Sequence, residues 1–170
     1  HLDRLSLLSR PKKIFDRYEE LMIRHYRTEV REIPGAADTF RWCHEHGIKV
    51  ATDTGFHRKI TEAIMDGLGW IGDGLVDISV DVESIPGGRG RPAPFMIFHA
   101  MEHLNVQSVH EVIKVGDTPA DMLEGRNAGC RGVVGVLTGP RQVGDWGKYR
   151  HTHVIPSVKE LPELIVSEFV

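Results

Sequence analysis

The chain has 170 residues, 41% of them hydrophobic, enough for one compact domain with a core and a small appendage. Lys and Arg number 21 against 24 Asp and Glu, and a net charge of -3 lacks the basic excess that accompanies phosphate-backbone binding, so nucleic acid is not an expected partner. No apolar stretch reaches the ~20 residues that cross a bilayer, and HLDRLSLLSRPKK lacks the apolar core and cleavage site of a signal peptide, so no membrane partner and a cytoplasmic location are expected. Cys43 and Cys130 form no C-x-x-C pair and are read as reduced thiols.

In chain order, residues 11–30 place Ile14, Tyr18, Leu21, Met22 and Tyr26 at three- and four-residue steps among charges, the stripe of an amphipathic helix. IPGA (33–36) breaks it, and Ala36 to His46 reads as a second helix ended by Gly47. A strand IKVAT (48–52) follows, then the turn DTGFHR and a helix from Lys59 to Leu68. The step repeats with a strand at 76–80, a Gly- and Pro-rich loop at 86–94 and a helix from Phe95 to Leu104. It repeats again with strands at 111–117, 132–139 and 152–157, a helix at 119–129 and a last helix at 158–168. Apolar strands alternating with helices imply a Rossmann-like three-layer α/β sandwich with a mostly parallel sheet and right-handed crossovers. In such sheets the chemistry collects at the carboxyl ends of the strands.

The residues expected at that edge are Thr52, Asp53, Thr54 and Gly55, then Arg91 from the loop, then Asp117 beside Gly116, and Asp121 one helical turn further. Carboxylates suit a hard cation, while hydroxyl, backbone N–H and guanidinium suit a phosphoryl group. The set therefore points to phosphoryl transfer. Each member also has an ordinary reading. Thr118-Pro119-Ala120-Asp121 is a good helix start, with a Thr cap, Pro at the first position and an acid three residues past the cap. Asp117 goes beyond that reading, because Thr118 already meets the capping need. Pro92 and Pro94 stiffen the loop around Arg91, which lowers the cost of gripping an anion. His57 and Arg58 follow the Thr52 turn closely enough to be secondary candidates, whereas His44, His46, His99, His103, His151 and His153 show no metal-ligand pattern with acids.

VATDTGFHR (50–58), GRPAPFMIFHAM (90–101) and IKVGDTPADMLEGRNAG (113–129) resemble, in order, the second, third and fourth motifs of the haloacid dehalogenase superfamily, in the phosphonatase-like branch related to phosphonoacetaldehyde hydrolase. The similarity runs from about Ile33 to Leu164, with Arg91 where many relatives have Lys. The resemblance implies a Mg2+-dependent hydrolase of a small phosphorylated or phosphonate substrate. It assigns Thr52 to the phosphoryl oxygens, Arg91 to charge neutralisation, and Asp117 and Asp121 to the metal. Thr52, Arg91 and Asp121 would be catalytic, and Asp53, Thr54 and Gly55 would help bind substrate.

The family's first motif, a strand ending in a nucleophilic aspartate, has no counterpart ahead of residue 48, since neither Asp3 nor Asp16 ends an apolar strand. In the family that strand lies between the strands ending in Thr52 and Asp117, and its loss leaves backbone groups unpaired at about 1–3 kcal/mol each. Residues 1–32 are thus expected to be the end of a helical cap and 33–170 an α/β core lacking its first strand, inactive as it stands. The phosphonatase cap lysine is not assigned to Lys12 or Lys13. A non-catalytic phosphate-binding or assembly protein is the alternative, and the oligomeric state is open.

Overall fold

The computed structural model describes residues 4–140 and 142–170. Helix α1, Arg4–Glu29, runs back through Pro11, further than the stripe beginning at residue 11 suggests. Its upstream residues RLSLLSR are mostly good helix formers and extend the pattern. Then follow α2 (Ala36–Glu45), β1 (Ala51–Asp53), α3 (Arg58–Leu68), β2 (Ile78–Val80), α4 (Phe95–Leu104), β3 (Ile113–Gly116), α5 (Pro119–Ala128), β4 (Gly132–Val136), a short α6 (Val143–Trp146), β5 (His153–Ile155) and α7 (Leu161–Glu168). The alternation read from the sequence is thus present, with α6 as an addition. The last helix is split, a 3-10 turn at Val158–Glu160 preceding α7.

Helix α1 lies along α3. Gly67 is where the two approach, because a Cβ there would stand 2.5 Å from the Tyr26 carbonyl and 2.6 Å from Val30 Cγ1. The same pair is pinned by Lys59 and Glu19 at 2.8 Å and by the Phe15 ring edge-on to His57 at 5.1 Å. Ile14, Phe15, Tyr18 and Leu21 remain exposed on α1.

All strand pairs are parallel, in two ladders. One joins β1 to β2, with Ala51 opposite Ile78 and Asp53 opposite Val80. The other runs β3-β4-β5, with Val115 opposite Val134 and Val134 opposite His153. Among the described residues β1 and β3 are each paired on one side only and share no ladder. Central β4 is buried along its whole length, as a strand flanked on both edges and covered on both faces must be.

Two helical layers tie the ladders together. On one face, Trp42 of α2 and Ile48 pack both against the cluster of Val134, Val136, Ile155, Leu161 and Ile165 and against that of Cys43, Val50 and Val76. On the other, α4 packs on β2, β1 and α5, and α5 on β3 and β4. This is the expected layered α/β sandwich. The strands are shorter than the apolar runs suggest, because Ile48 and Val50 serve the core without entering a ladder.

The β1–β2 ladder is closed at its start by Asp77. Its backbone N–H donates to the Val50 carbonyl at 2.8 Å, and its carboxylate accepts from the Val50 N–H at 2.7 Å and pairs with His44 at 3.0 Å. Burial opposes the charge, but the Val50 N–H, His44 and Lys49 outweigh it and hold the carboxyl below its ordinary value. A depressed carboxylate adds stability above its unfolded value and loses it as pH falls through the folded one. Asp77→Ala should therefore cost about 1–3 kcal/mol at pH 7, the price of an unpaired buried N–H. The gap from wild type should narrow as pH falls below about 4, measured by urea denaturation across pH.

Candidate active site

The carboxyl ends of the strands bring together five charged side chains from four segments. Asp53 ends β1, Arg91 comes from the loop before α4, Lys114 stands in β3, and Asp121 and Glu124 lie on α5. Lys114 reaches from one ladder to the other, donating to Asp53 Oδ2. Its ammonium also lies 2.7 Å from Glu124 Oε2 and 3.5 Å from Asp121 Oδ1. Arg91 donates from Nη1 to Asp121 Oδ1, with its Nε 3.6 Å from Asp53 Oδ1. Lys114, Asp121 and Glu124 are 7%, 2% and 0% exposed, so these charges meet where solvent screens them little.

Burial alone would neutralise each group, and the partners decide which stay charged. For Lys114, burial is outweighed by Asp53, Glu124 and Asp121, and its pKa rises. For Arg91 it is outweighed chiefly by Asp121, with the same result. Asp121 is held below the usual carboxylate range against its burial by Lys114, Thr118 and Arg91. Glu124 goes the other way: burial, reinforced by Asp53, pushes it up to about 7 despite Lys114 and Arg91. Three carboxylates facing two cations leave one excess negative charge, and it is Glu124 that sheds it. The 2.7 Å approach of Lys114 to Glu124 is a charge contact without hydrogen-bond alignment, so both Glu124 oxygens, like Asp53 Oδ1, lack a hydrogen-bond partner.

The turn from β3 into α5 combines both readings of its sequence. Thr118 caps the helix, its hydroxyl accepting from the Asp121 N–H at 3.4 Å. Asp121 Oδ2 in turn accepts from the Thr118 N–H at 3.0 Å and from its hydroxyl at 2.5 Å, completing a capping box. The remaining oxygen faces Arg91 and Lys114. Gly116 makes room for this, since a Cβ there would stand 2.6 Å from Asp121 Oδ2.

Of the residues expected at the edge, Asp53, Arg91 and Asp121 meet directly. Gly55 lies beside them, 3.7 Å from Arg91 Nη2 when a Cβ is added. Thr54 holds the same turn, its N–H donating to the Val80 carbonyl at 2.9 Å and its hydroxyl accepting from the Phe56 N–H at 3.2 Å. The Thr52 hydroxyl faces β2 instead, donating to Ser79 Oγ at 3.0 Å. Asp117 packs against the turn after β4, where a Cβ on Gly139 would stand 2.6 Å from the Asp117 Cβ. His57 and Arg58 pair with Glu83 and Asp81, at 3.2 and 3.3 Å, rather than with the cluster. Lys114 and Glu124 are the members that motif reading passes over. Their signals are a lysine interrupting the apolar run VIKV, and an acid three residues beyond Asp121 on the same face of α5.

The carboxylate oxygens of Asp53, Asp121 and Glu124 lie within 4.8 Å of one another. Carboxylate oxygens are the donors a hard divalent cation takes, and Asp53 Oδ1 and both Glu124 oxygens lack a hydrogen-bond partner, while the Lys114 ammonium lies among the three groups in this structure.

A parallel α/β sandwich with an Arg–Asp–Lys cluster at its strand ends narrows the class, and the profile of the haloacid dehalogenase-like hydrolases matches residues 2–129. The chain belongs to that family. Within it, the chain is 36% identical over 132 residues to a phosphonoacetaldehyde hydrolase of Parabacteroides distasonis, covering 78% of this chain and 48% of the relative. It is 28% identical over 162 residues to a phosphonoacetaldehyde hydrolase of Bacillus cytotoxicus, covering 94% and 59%. The chain thus spans about half the length of the curated relatives it matches. Among solved structures, a phosphonoacetaldehyde hydrolase-like protein from Oleispira antarctica shares the fold at TM-score 0.74 and 24% identity, over 91% of this chain and 63% of that one. A hydrolase from Pseudomonas syringae does so at TM-score 0.74 and 17% identity, over 99% and 72%.

Removing Lys114 leaves three buried carboxylates facing one guanidinium. Lys114→Met should destabilise the protein by about 3–5 kcal/mol, seen as a lower urea midpoint. Adding Glu124→Gln should recover part of that loss.

Proposed function

We propose that the protein is a Mg2+-dependent phosphohydrolase of the phosphonatase-like kind, acting on the C–P bond of a small phosphonate or on a phosphate ester. The observation that carries this reading is Arg91, held at the strand ends between Asp53 and Asp121. A guanidinium fixed on two sides by carboxylates keeps its remaining N–H groups aimed, which suits a tetrahedral anion. Relatives named phosphonoacetaldehyde hydrolase support the substrate class.

In this reading Thr52 donates to the phosphoryl oxygens, the Asp53-Thr54-Gly55 turn offers backbone N–H groups beside it, and Arg91 offsets the charge of phosphate and nucleophile. Asp117 and Asp121 would hold Mg2+, with Asp53 and Glu124 as further oxygen donors near Asp121. The bound ion would supply electrostatic stabilisation of the phosphoryl group. The Asp121 oxygen directed at Arg91 and Lys114 couples the anion site to the metal site.

The attacking carboxylate, which forms an aspartyl phosphate that water then releases, comes from an aspartate ending a strand seated between β1 and β3. That each of those two strands is paired on one side only among the described residues supports this place for it. Residues 1–32 are the end of a cap that closes over the substrate. Without the aspartate, residues 1–170 bind but do not turn over.

Both substrate types can be offered to the protein joined to such a strand. Mg2+-dependent release of phosphate is expected, and it should vanish when the strand's aspartate is replaced by Asn. Arg91→Ala should lower kcat/KM by roughly 10²–10³, and Arg91→Lys, which keeps the charge but loses the fork of donors, by less. Hydrolysis by the 170-residue chain alone would overturn the mechanism. Phosphate binding without turnover in every form would establish the binding-protein alternative.

A further inference from the structure

Away from the strand ends, the outward side of α4 carries His99, Glu102 and His103. Spacings of three and four residues put the three on one face, which the sequence reading, looking for acids paired with these histidines, passes over. Their ligand atoms all lie within 4.8 Å of one another, and the two imidazole centroids are 4.1 Å apart. His99 is half-buried, while Glu102 and His103 are exposed.

The orientation of His103 adds a second observation. Its Nδ1 lies 2.9 Å from the His99 carbonyl oxygen. A carbonyl only accepts, so Nδ1 carries the proton and, in the neutral ring, Nε2 carries the lone pair. This is how ligating histidines are usually prepared, one ring nitrogen bonded to a backbone oxygen and the other free for the metal.

We infer that His99, Glu102 and His103 form a surface binding site for a divalent transition metal, with Zn2+ the best fit. Two imidazole nitrogens and one carboxylate oxygen are a zinc-type donor set that leaves a fourth position for water. Mg2+ and Ca2+, which take oxygen ligands, are disfavoured here, so this site and the carboxylate cluster at the strand ends differ in the ion they select. Chelation across one turn would brace α4, the helix that follows the Arg91 loop and packs on both β1 and α5.

Zinc titration of the metal-free protein by calorimetry, in excess Mg2+ to fill the carboxylate cluster, tests this. About one equivalent of Zn2+ is expected to bind, with the ring proton resonances of His99 and His103 shifting together. His99→Ala and His103→Ala should each weaken binding by about tenfold or more, and Glu102→Gln by less. All three positions lie on the helix surface, and circular dichroism of each variant verifies that α4 is retained. Absence of zinc binding by the wild-type chain, or an unchanged affinity in the His99→Ala/His103→Ala double variant, would overturn the inference. Neither result bears on the phosphohydrolase reading, since Mg2+-dependent turnover uses none of these residues.

Discussion

The structure depends on one ammonium group. Lys114 stands in the middle of β3, where an apolar side chain would be ordinary, and its charge is held in a nearly solvent-free place by three carboxylates from β1 and α5. Because β1 and β3 share no backbone ladder among the described residues, this side-chain network is a direct polar link between the two halves of the sheet at the edge where the chemistry is expected. Hydrophobic packing of Trp42 and Ile48 joins the halves on one face of the sheet, and α4 with α5 joins them on the other. Such packing sets how close the halves come, but it is not directional. The ion pairs define which side chains face each other.

That arrangement has an electrostatic consequence for the site. Arg91 and Lys114 between them offset the charges of Asp121 and Asp53, and the surplus negative charge falls on the group with no aligned hydrogen bond, Glu124. A phosphoryl anion arriving beside Arg91 would add negative charge where the balance is already exhausted, and a divalent cation among the carboxylates would restore it.

Much of the fold was legible in the chain because its signals are local. Gly47, Gly69 and Gly129 stop helices, Pro119 and Thr118 start one, and the apolar runs between them are strand-length. Strand ends were less legible. A strand is defined by its neighbours, and Ile48 and Val50 have strand-like side chains yet meet the core and the Asp77 carboxylate instead of a ladder partner. Asp53, Arg91 and Asp121 were marked by turns and prolines that can be read along the sequence. Lys114 and Glu124 were not, because a buried charge inside a strand or helix looks like a surface residue until its partners, 61 positions away in the case of Asp53, are brought beside it.

By itself, the sequence determined the alternation of helices and strands, their parallel arrangement and the order of the three motifs, all of which follow from propensities and spacings within some twenty residues. Tertiary structure alone decided that the sheet comes as two ladders, that Asp121 faces Arg91 and Lys114 while Asp117 packs against Gly139, and that the Thr52 hydroxyl turns toward Ser79. The physical reason is that a charged or hydroxyl side chain settles on whichever complementary group packing brings within about 3 Å, and that choice is made between segments distant in the chain.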